Sequence, residues 1–350
     1  MPEPSMMRRH FLQSLALGQG LACLPVLGQV KAQSERASAA RWPLQDVELT
    51  VPFPAGGSSA RLGKVLSDVF RQKTQHQLKT VHRGGGAGVA GADFVAAAPA
   101  DGSHLLLGGP GIAIQRAAQM LRDKNAAREL APLALVARMP HVLLVSPRTF
   151  GGRSWVEISA ELRRKPPRYR YASAGVGSAT HIAGEWLKQL ISANMEHVPY
   201  KGSGPALQEL ANGNVDVMID SVAAALPHIQ SGKVRAICVA STERSEVLPD
   251  VPASNEIGLQ ELVLHAWYGL FAPNDMAPAL QNRVIDTFRS MASDPVLQSR
   301  WALMGTDWPG LYGEEFARFL RDEMAHWSRI ALASGFDLRS KFSVKNQAFE

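Results

Sequence analysis

Val51–Leu66 reads VPFPAGGSSARLGKVL. An apolar strand runs into Pro54, Gly56, Gly57, Ser58 and Ser59, after which Leu62, Val65, Leu66, Val69 and Phe70 fall at helical spacing. A strand that breaks in glycine and serine and restarts as a helix leaves free amides at its turn, and such amides favour an anion. The same composition returns at Gly108–Gly111 (GGPG), Ser173–His181 (SAGVGSATH) and Tyr200–Pro205 (YKGSGP). Each helix start favours negative charge by about 0.3–1 kcal/mol, so turns that face one another can orient a small acid. One turn alone is explained as a helix cap. Their recurrence predicts a cleft, because open α/β sheets place ligands at the carboxyl ends of strands. Positive φ is expected at Gly57 and Gly175, where the chain turns.

Outward from that stretch, short apolar runs alternate with amphipathic ones. Strands are predicted at Val47–Phe53, Leu78–His82, His104–Leu107, Leu133–Arg138, Val142–Val145, Tyr169–Ala174, Val215–Asp220, Val234–Ala240 and Val263–Phe271. Ile182, Ala183, Trp186, Leu187 and Leu190 form a helical core stripe, and Leu280–Met291, Pro295–Met304 and Glu314–Leu332 read as helices. This alternation predicts an α/β fold of two lobes, each a mostly parallel sheet flanked by helices. The box Ser154-Trp155-Val156-Glu157 starts a helix soon after Val145-Ser146-Pro147, and that extended passage is read as one crossing between lobes. A second crossing is expected around Pro249–Gly258, giving lobe one 44–145 with 262–350 and lobe two 146–261.

The 350 residues carry 37 Lys and Arg against 31 Asp and Glu, a formal charge of +6. The basic residues are scattered. The densest run, Arg163-Arg164-Lys165, sits beside Pro166-Pro167 as a solvated helix end does, so nucleic acid is not an expected partner. At the N-terminus Met7-Arg8-Arg9-His10-Phe11-Leu12-Gln13 precedes a mildly apolar segment, Ser14–Val30, ending near Lys31-Ala32-Gln33. That is the pattern of a twin-arginine export signal over 1–32, cut after a small residue. Gly18, Gly20, Pro25 and Gly28 break the segment as a membrane anchor. Cys23 lies inside it, and Cys238, within VRAICVA, reads as an inert core thiol.

Other chemistries are weighed against the same residues. Gly86-Ala87-Gly88-Val89-Ala90-Gly91 matches GxGxxG, yet the following strand ends Leu106-Leu107-Gly108-Gly109-Pro110, with no acid for a ribose. No GxxxxGK[ST] loop, HExxH or CxxC occurs, so no nucleotide, cofactor or metal is expected. Ser178, His181 and Asp220 can be assembled on paper into a triad, which leaves an exported serine hydrolase as the alternative function. No GxSxG elbow supports it, and Ser178 three residues before His181 is equally a helix cap.

The runs VPFPAGGSSARLGKVL, GGGAGVAGADFVAAAPADGSHLLLGGPG, YASAGVGSATHIAGEWLKQL, HVPYKGSGPALQELANGNVDVMIDSVAAALPHIQSGKVRAICVAST, LPDVPASNEIGL and WYGLFAP, in this order from about Val47 to Phe336, resemble the Bug family. These are the TctC-like periplasmic receptors of tripartite tricarboxylate transporters. The resemblance implies a periplasmic-binding-protein architecture of the Venus flytrap kind, a monomer that closes on a small carboxylate without catalysis and hands it to membrane subunits or to a sensor. Carried onto this chain, it implies a first loop at Phe53, Ala55, Gly56, Gly57, Ser58 and Ser59, and a second at Ser173, Ala174, Gly175, Gly177, Ser178, Thr180 and His181. Tyr200, Lys201 and Gly202 are a further wall, with Asp220 at a strand end in the cleft or capping the helix after it. Ala60 stands where the family commonly has an acid, Ser221 where it often has Asn, and Gly84 where it often has Pro. With no acid at Ala60, Arg61 in the first helical turn becomes a candidate partner for a distal carboxylate.

Overall fold

The computed structural model describes residues 42–122, 130–166 and 168–338; the expected export signal, 1–32, lies outside them. In lobe one β1 (Val47–Val51), β2 (Leu78–His82) and β3 (His104–Gly108) run parallel. The helix Ser58–Thr74 buries Leu62, Leu66, Val69 and Phe70 in the same apolar cluster as Val47, Leu49 and Val51. In lobe two β5 (Tyr169–Ser173), β6 (Met195–Pro199) and β7 (Val217–Ser221) run parallel. Their crossover helices, Ala179–Ile191, Ser203–Asn212 and Val222–Gln230, bury Ile182, Leu187, Leu207, Leu210 and Val222. The expected capping box at Ser154 is present: its hydroxyl accepts from the Glu157 N–H, while the Glu157 carboxylate accepts from the Ser154 N–H.

One continuous strand joins the lobes. The expected Leu133–Arg138 and Val142–Val145 are one element, β4 (Leu130–Val145). Its first part pairs antiparallel with β9 (His265–Pro273) as far as Pro140 opposite His265. Its last part pairs with β7, His141 opposite Ser221, and with β8 (Arg235–Val239). Pro140 falls where the partner changes, the place where a missing N–H interrupts the ladder least. The first passage between sheets is therefore inside β4, ahead of the expected Val145–Pro147. The return lies at Leu264–His265, where the His141 N–H donates to the Leu264 carbonyl and the Leu264 N–H to the Ala240 carbonyl. At the expected second passage, Ala253 still bridges Val239 within lobe two, and Ser254–Ile257 makes a 3-10 turn.

The sheet order is β2-β1-β3-β9-β4-β7-β5-β6, with β8 and the two-residue β10 (Leu311–Tyr312) also on β4. In direction β9 is the reversed strand beside β3, and β4 the reversed strand beside β7, so each lobe is a mostly parallel sheet. The helix Glu314–Ala333 spans the back of both lobes. Its Phe316, Leu320 and Trp327 share one buried cluster with Ile114 of lobe one and Ile182 of lobe two.

Candidate ligand-binding site

Five strands, β1, β3, β5, β6 and β7, end at the seam between the lobes, and each runs into a helix, starting at Ser58, Pro110, Ala179, Ser203 and Val222. None of the five helices has an acidic residue in its first turn. The helices from Ser58 and Ser203 follow Gly57 and Gly202, which offer no side-chain cap, so their first amides are left to whatever enters the seam. Between the lobes lies a cavity of about 60 Å³, room for a few water molecules. Lobe one lines it with Phe53, Gly57, Ser58, Ser59, the Gly109–Gly111 turn and Tyr268; lobe two lines it with Ala174, Ser178, Thr180, Ser203 and Asp220. Among the described residues no Lys, Arg or Glu side chain borders it, and Asp220 is the one carboxyl that does. The favourable field for an anion thus comes from backbone dipoles, each worth about 0.3–1 kcal/mol and up to ~2 when half-buried.

A neighbouring pocket of about 330 Å³ shares Phe53, Pro54, Ala87 and Ala174 with the cavity and adds Gly175, Tyr200 and Lys201. Three expected residues instead hold the lobes together. A Cβ built on Gly204 would lie 3.1 Å from the Ala55 carbonyl oxygen and one on Gly56 3.5 Å from the Gly204 Cα, so the PFPAGG and YKGSGP turns meet backbone to backbone. At Gly202, φ is +118° and a Cβ would meet Pro54 at 3.2 Å. Gly57 departs from expectation: its φ is −89°, ordinary extended backbone, whereas Gly175 has the expected positive φ, +127°.

Ser173, Gly177 and His181 stand behind the second turn and shape it. The Ser173 hydroxyl pairs with His197 Nε2 at 2.7 Å and accepts from the Gly175 N–H. His181 Nδ1 accepts from the Gly177 N–H at 3.0 Å, and its ring stacks on His197 with centroids 3.7 Å apart. The Ser178 hydroxyl donates to the Gly175 carbonyl at 2.7 Å and accepts from the His181 N–H, while Thr180 Oγ1 accepts from the Ala174 N–H. Ser178 is a helix cap, and His181 meets it through its backbone amide, not in the nucleophile-to-imidazole contact that a hydrolase uses.

Arg61 points elsewhere than expected. Its guanidinium donates to the Ala223 carbonyl of lobe two, because one turn into its helix the side chain leaves the cavity for the facing helix. Asp220 does not cap that helix. Ser221 does, accepting from the Ala224 N–H, and its hydroxyl also donates to Ser58 across the seam at 3.2 Å. Asp220 is 3% exposed at the cavity: Oδ1 accepts from the Ser221 N–H at 2.7 Å, and Oδ2 has no partner among the described residues, the Ser203 side chain standing alongside. Burial raises its pKa to about 6 against the opposing pull of Ser203 and Ser221.

Two cavity residues were not singled out from sequence. Tyr268, on β9, pairs its hydroxyl with that of Ser58, and burial lifts its pKa well above the usual phenol range. His141, where β4 changes sheet, is 2% exposed and neutral, held at a pKa of about 4 by burial and by His265. Each is a lone polar residue in an apolar strand run, WYGLFAP and PHVLLV, and that contrast was the available signal.

The family model described as the tripartite tricarboxylate transporter family receptor, TctC, matches residues 65–336. The chain belongs to this family of solute-binding receptors. The structure of the periplasmic binding protein BugD superposes with a TM-score of 0.79 at 25% identity, covering 85% of this chain and 99% of BugD. MatC from Rhodopseudomonas palustris, solved with bound malate, gives 0.76 at 28% identity over 83% of this chain and 99% of MatC. A second R. palustris protein, solved with adipate, gives 0.78 at 26% identity over 84% and 98%. Those two proteins hold dicarboxylates.

Proposed function

We propose that this TctC-family receptor captures a small organic carboxylate between its lobes, outside the cytoplasm, and presents it to the membrane subunits of a tripartite tricarboxylate-type transporter or to a sensor. The observation that carries the reading is the convergence of five helix starts, none with an acid in its first turn, on one cavity between the lobes. Such a site recognises the carboxylate group itself, since dipoles and hydroxyls solvate negative charge without fixing the rest of the molecule. Malate in MatC and adipate in the R. palustris relative support the ligand class.

In this reading the protein is a monomer that needs no cofactor and binds without turnover. It is exported by the twin-arginine route through Arg8 and Arg9. Lobe one is 44–140 with 265–338, and lobe two is 141–264, the boundaries falling where β4 changes partner and where the return chain crosses. Ligand contacts from both lobes favour a closed form. A thermal-shift screen over mono-, di- and tricarboxylates tests the reading: a ligand at ~100 times its Kd adds about 2.7 kcal/mol of stability. A flat response to every carboxylate, with a response to sugars or cations instead, overturns it.

A further inference from the structure

The carboxyl of Asp220 borders the interlobe cavity and is fixed there. Its Oδ1 accepts from the Ser221 N–H at 2.7 Å, and the Ser203 side chain, itself a lining group, also hydrogen-bonds the carboxyl. Among the described residues, the charged and titratable groups around it supply no counter-ion. Arg61 gives its guanidinium to the Ala223 carbonyl, and Lys201 borders the neighbouring pocket. His141, from β4, is neutral with a pKa of about 4, and the Tyr268 hydroxyl, from β9, has its pKa raised by burial and by the Asp220 charge. His181 and His197 stack on one another behind the second turn. A carboxylate entering a cavity of about 60 Å³ therefore meets a second carboxyl at close range, with no lining cation between them. Two carboxylates confined to one site do not both stay ionised; the pair holds a proton to higher pH than either would alone.

We infer that the receptor binds its carboxylate together with one proton, shared between the ligand and Asp220. This rests on the carboxylate-receptor reading and deepens it. A protonated Asp220 keeps one oxygen as acceptor for the Ser221 N–H and offers an O–H to the ligand, so that repulsion becomes a charge-assisted hydrogen bond. The helix starts then hold the one negative charge left in the pair. In the free protein burial puts the Asp220 pKa at about 6, so above pH 7 the carboxyl is ionised until ligand arrives and takes its proton from solvent on binding. A further rise of about two pKa units in the complex makes affinity fall about fivefold between pH 7 and pH 8, with uptake of about half a proton or more at pH 7.5. Free carboxylic acids of ordinary pKa are ionised throughout that range, so the ligand's own titration does not contribute.

Calorimetry of succinate, malate and adipate at pH 7.5, in buffers of different ionisation enthalpy, counts the protons taken up with the ligand. Each acid that binds the wild-type protein should bring about half a proton or more and lose about fivefold in affinity from pH 7 to pH 8. Asp220→Asn presents an N–H where the protonated acid presents its O–H. It should take up less than about a tenth of a proton, hold its affinity within about twofold over the same range, and bind more tightly than the wild type at pH 8. Circular dichroism establishes that the variant folds, and Asp220→Ser supplies the same comparison of uptake should asparagine not be tolerated. Binding to the wild type without proton uptake overturns the inference, as does uptake that persists in the folded variant. Tighter binding of aspartate than of succinate, again without uptake, overturns it too, since an ammonium group rather than a proton would then meet Asp220. Binding by none of the three acids overturns it as well, while the receptor reading falls only if the wider carboxylate screen is also silent.

Discussion

Asp220→Asn should make the ligand-free protein more stable at pH 8 and change it little at pH 4. The carboxyl is 3% exposed, and its pKa is raised from 3.8 to about 6, chiefly by burial. A group whose folded pKa is raised binds its proton more tightly in the folded state. Its penalty is therefore small below the unfolded value, near 4, grows between about pH 4 and pH 6, and is full above pH 6. At 1.36 kcal/mol per pKa unit the full penalty is roughly 3 kcal/mol. Asparagine removes the charge and can still offer an oxygen to the Ser221 N–H that Oδ1 now engages. Urea unfolding of both proteins at pH 4 and pH 8 isolates the effect, since every other titrating group is common to the two and cancels in the difference. The variant should gain 1–3 kcal/mol at pH 8 with an unchanged m value, and a fraction of that at pH 4. A variant that is less stable at pH 8, or equally stabilised at both values, would refute a destabilising buried charge at Asp220.

Two further substitutions separate turn geometry from ligand contact and from closure. Gly175→Val forces a β-branched residue to φ +127° with its Cβ 3.3 Å from the Tyr200 carbonyl oxygen, so it should lower both the melting temperature and the affinity. Gly57→Val, at φ −89° with a Cβ 3.6 Å from that of Ser203, should leave melting nearly unchanged and weaken carboxylate binding by about tenfold or more, by blocking closure; calorimetry and circular dichroism that find the two variants alike would reject this distinction. Arg61→Gln removes the donor to the Ala223 carbonyl between the lobes and should weaken succinate and propionate by the same factor, about three- to tenfold. A loss confined to succinate would return Arg61 to the ligand's distal carboxylate.

The α/β class and most elements were legible because alternating apolar runs and 3.6-residue stripes report burial directly. The helix Ser58–Thr74 buries the stripe read from its sequence, and β2 has the expected bounds. What escaped was connectivity across the seam. Pro140 and His141 interrupt the apolar run, so local reading ends one strand and begins another, while β4 continues because β9 supplies partners on one side of the break and β7 and β8 on the other. Pairing partners far apart in sequence decide such a case. β10 has two residues, too few for any period to register.

The turns that build the site were legible for a different reason. Glycine followed by Ser or Thr at a helix start is a local signal, and the turns at Ser58, Ser178 and Ser203 do border the cavity. Direction within a turn is not local. Arg61, one turn into its helix, reaches the opposite lobe rather than the cavity, and Ala55, Gly56 and Gly202 make the contact between lobes. Nor could composition assign the helix cap between Asp220 and Ser221, since both residue types cap well. The assignment has a chemical consequence. With Ser221 as the cap, its hydroxyl binds Ser58 across the seam and its N–H holds one oxygen of Asp220, which leaves the other oxygen in the cavity. Had Asp220 capped the helix, its charge would be held by backbone amides. As built, it is a buried carboxylate bordering the cavity, with one oxygen that has no partner among the described residues. An anion site drawn from backbone dipoles alone would take many acids indifferently, so a side chain such as Asp220, which brings charge to the cavity border, is where discrimination can arise.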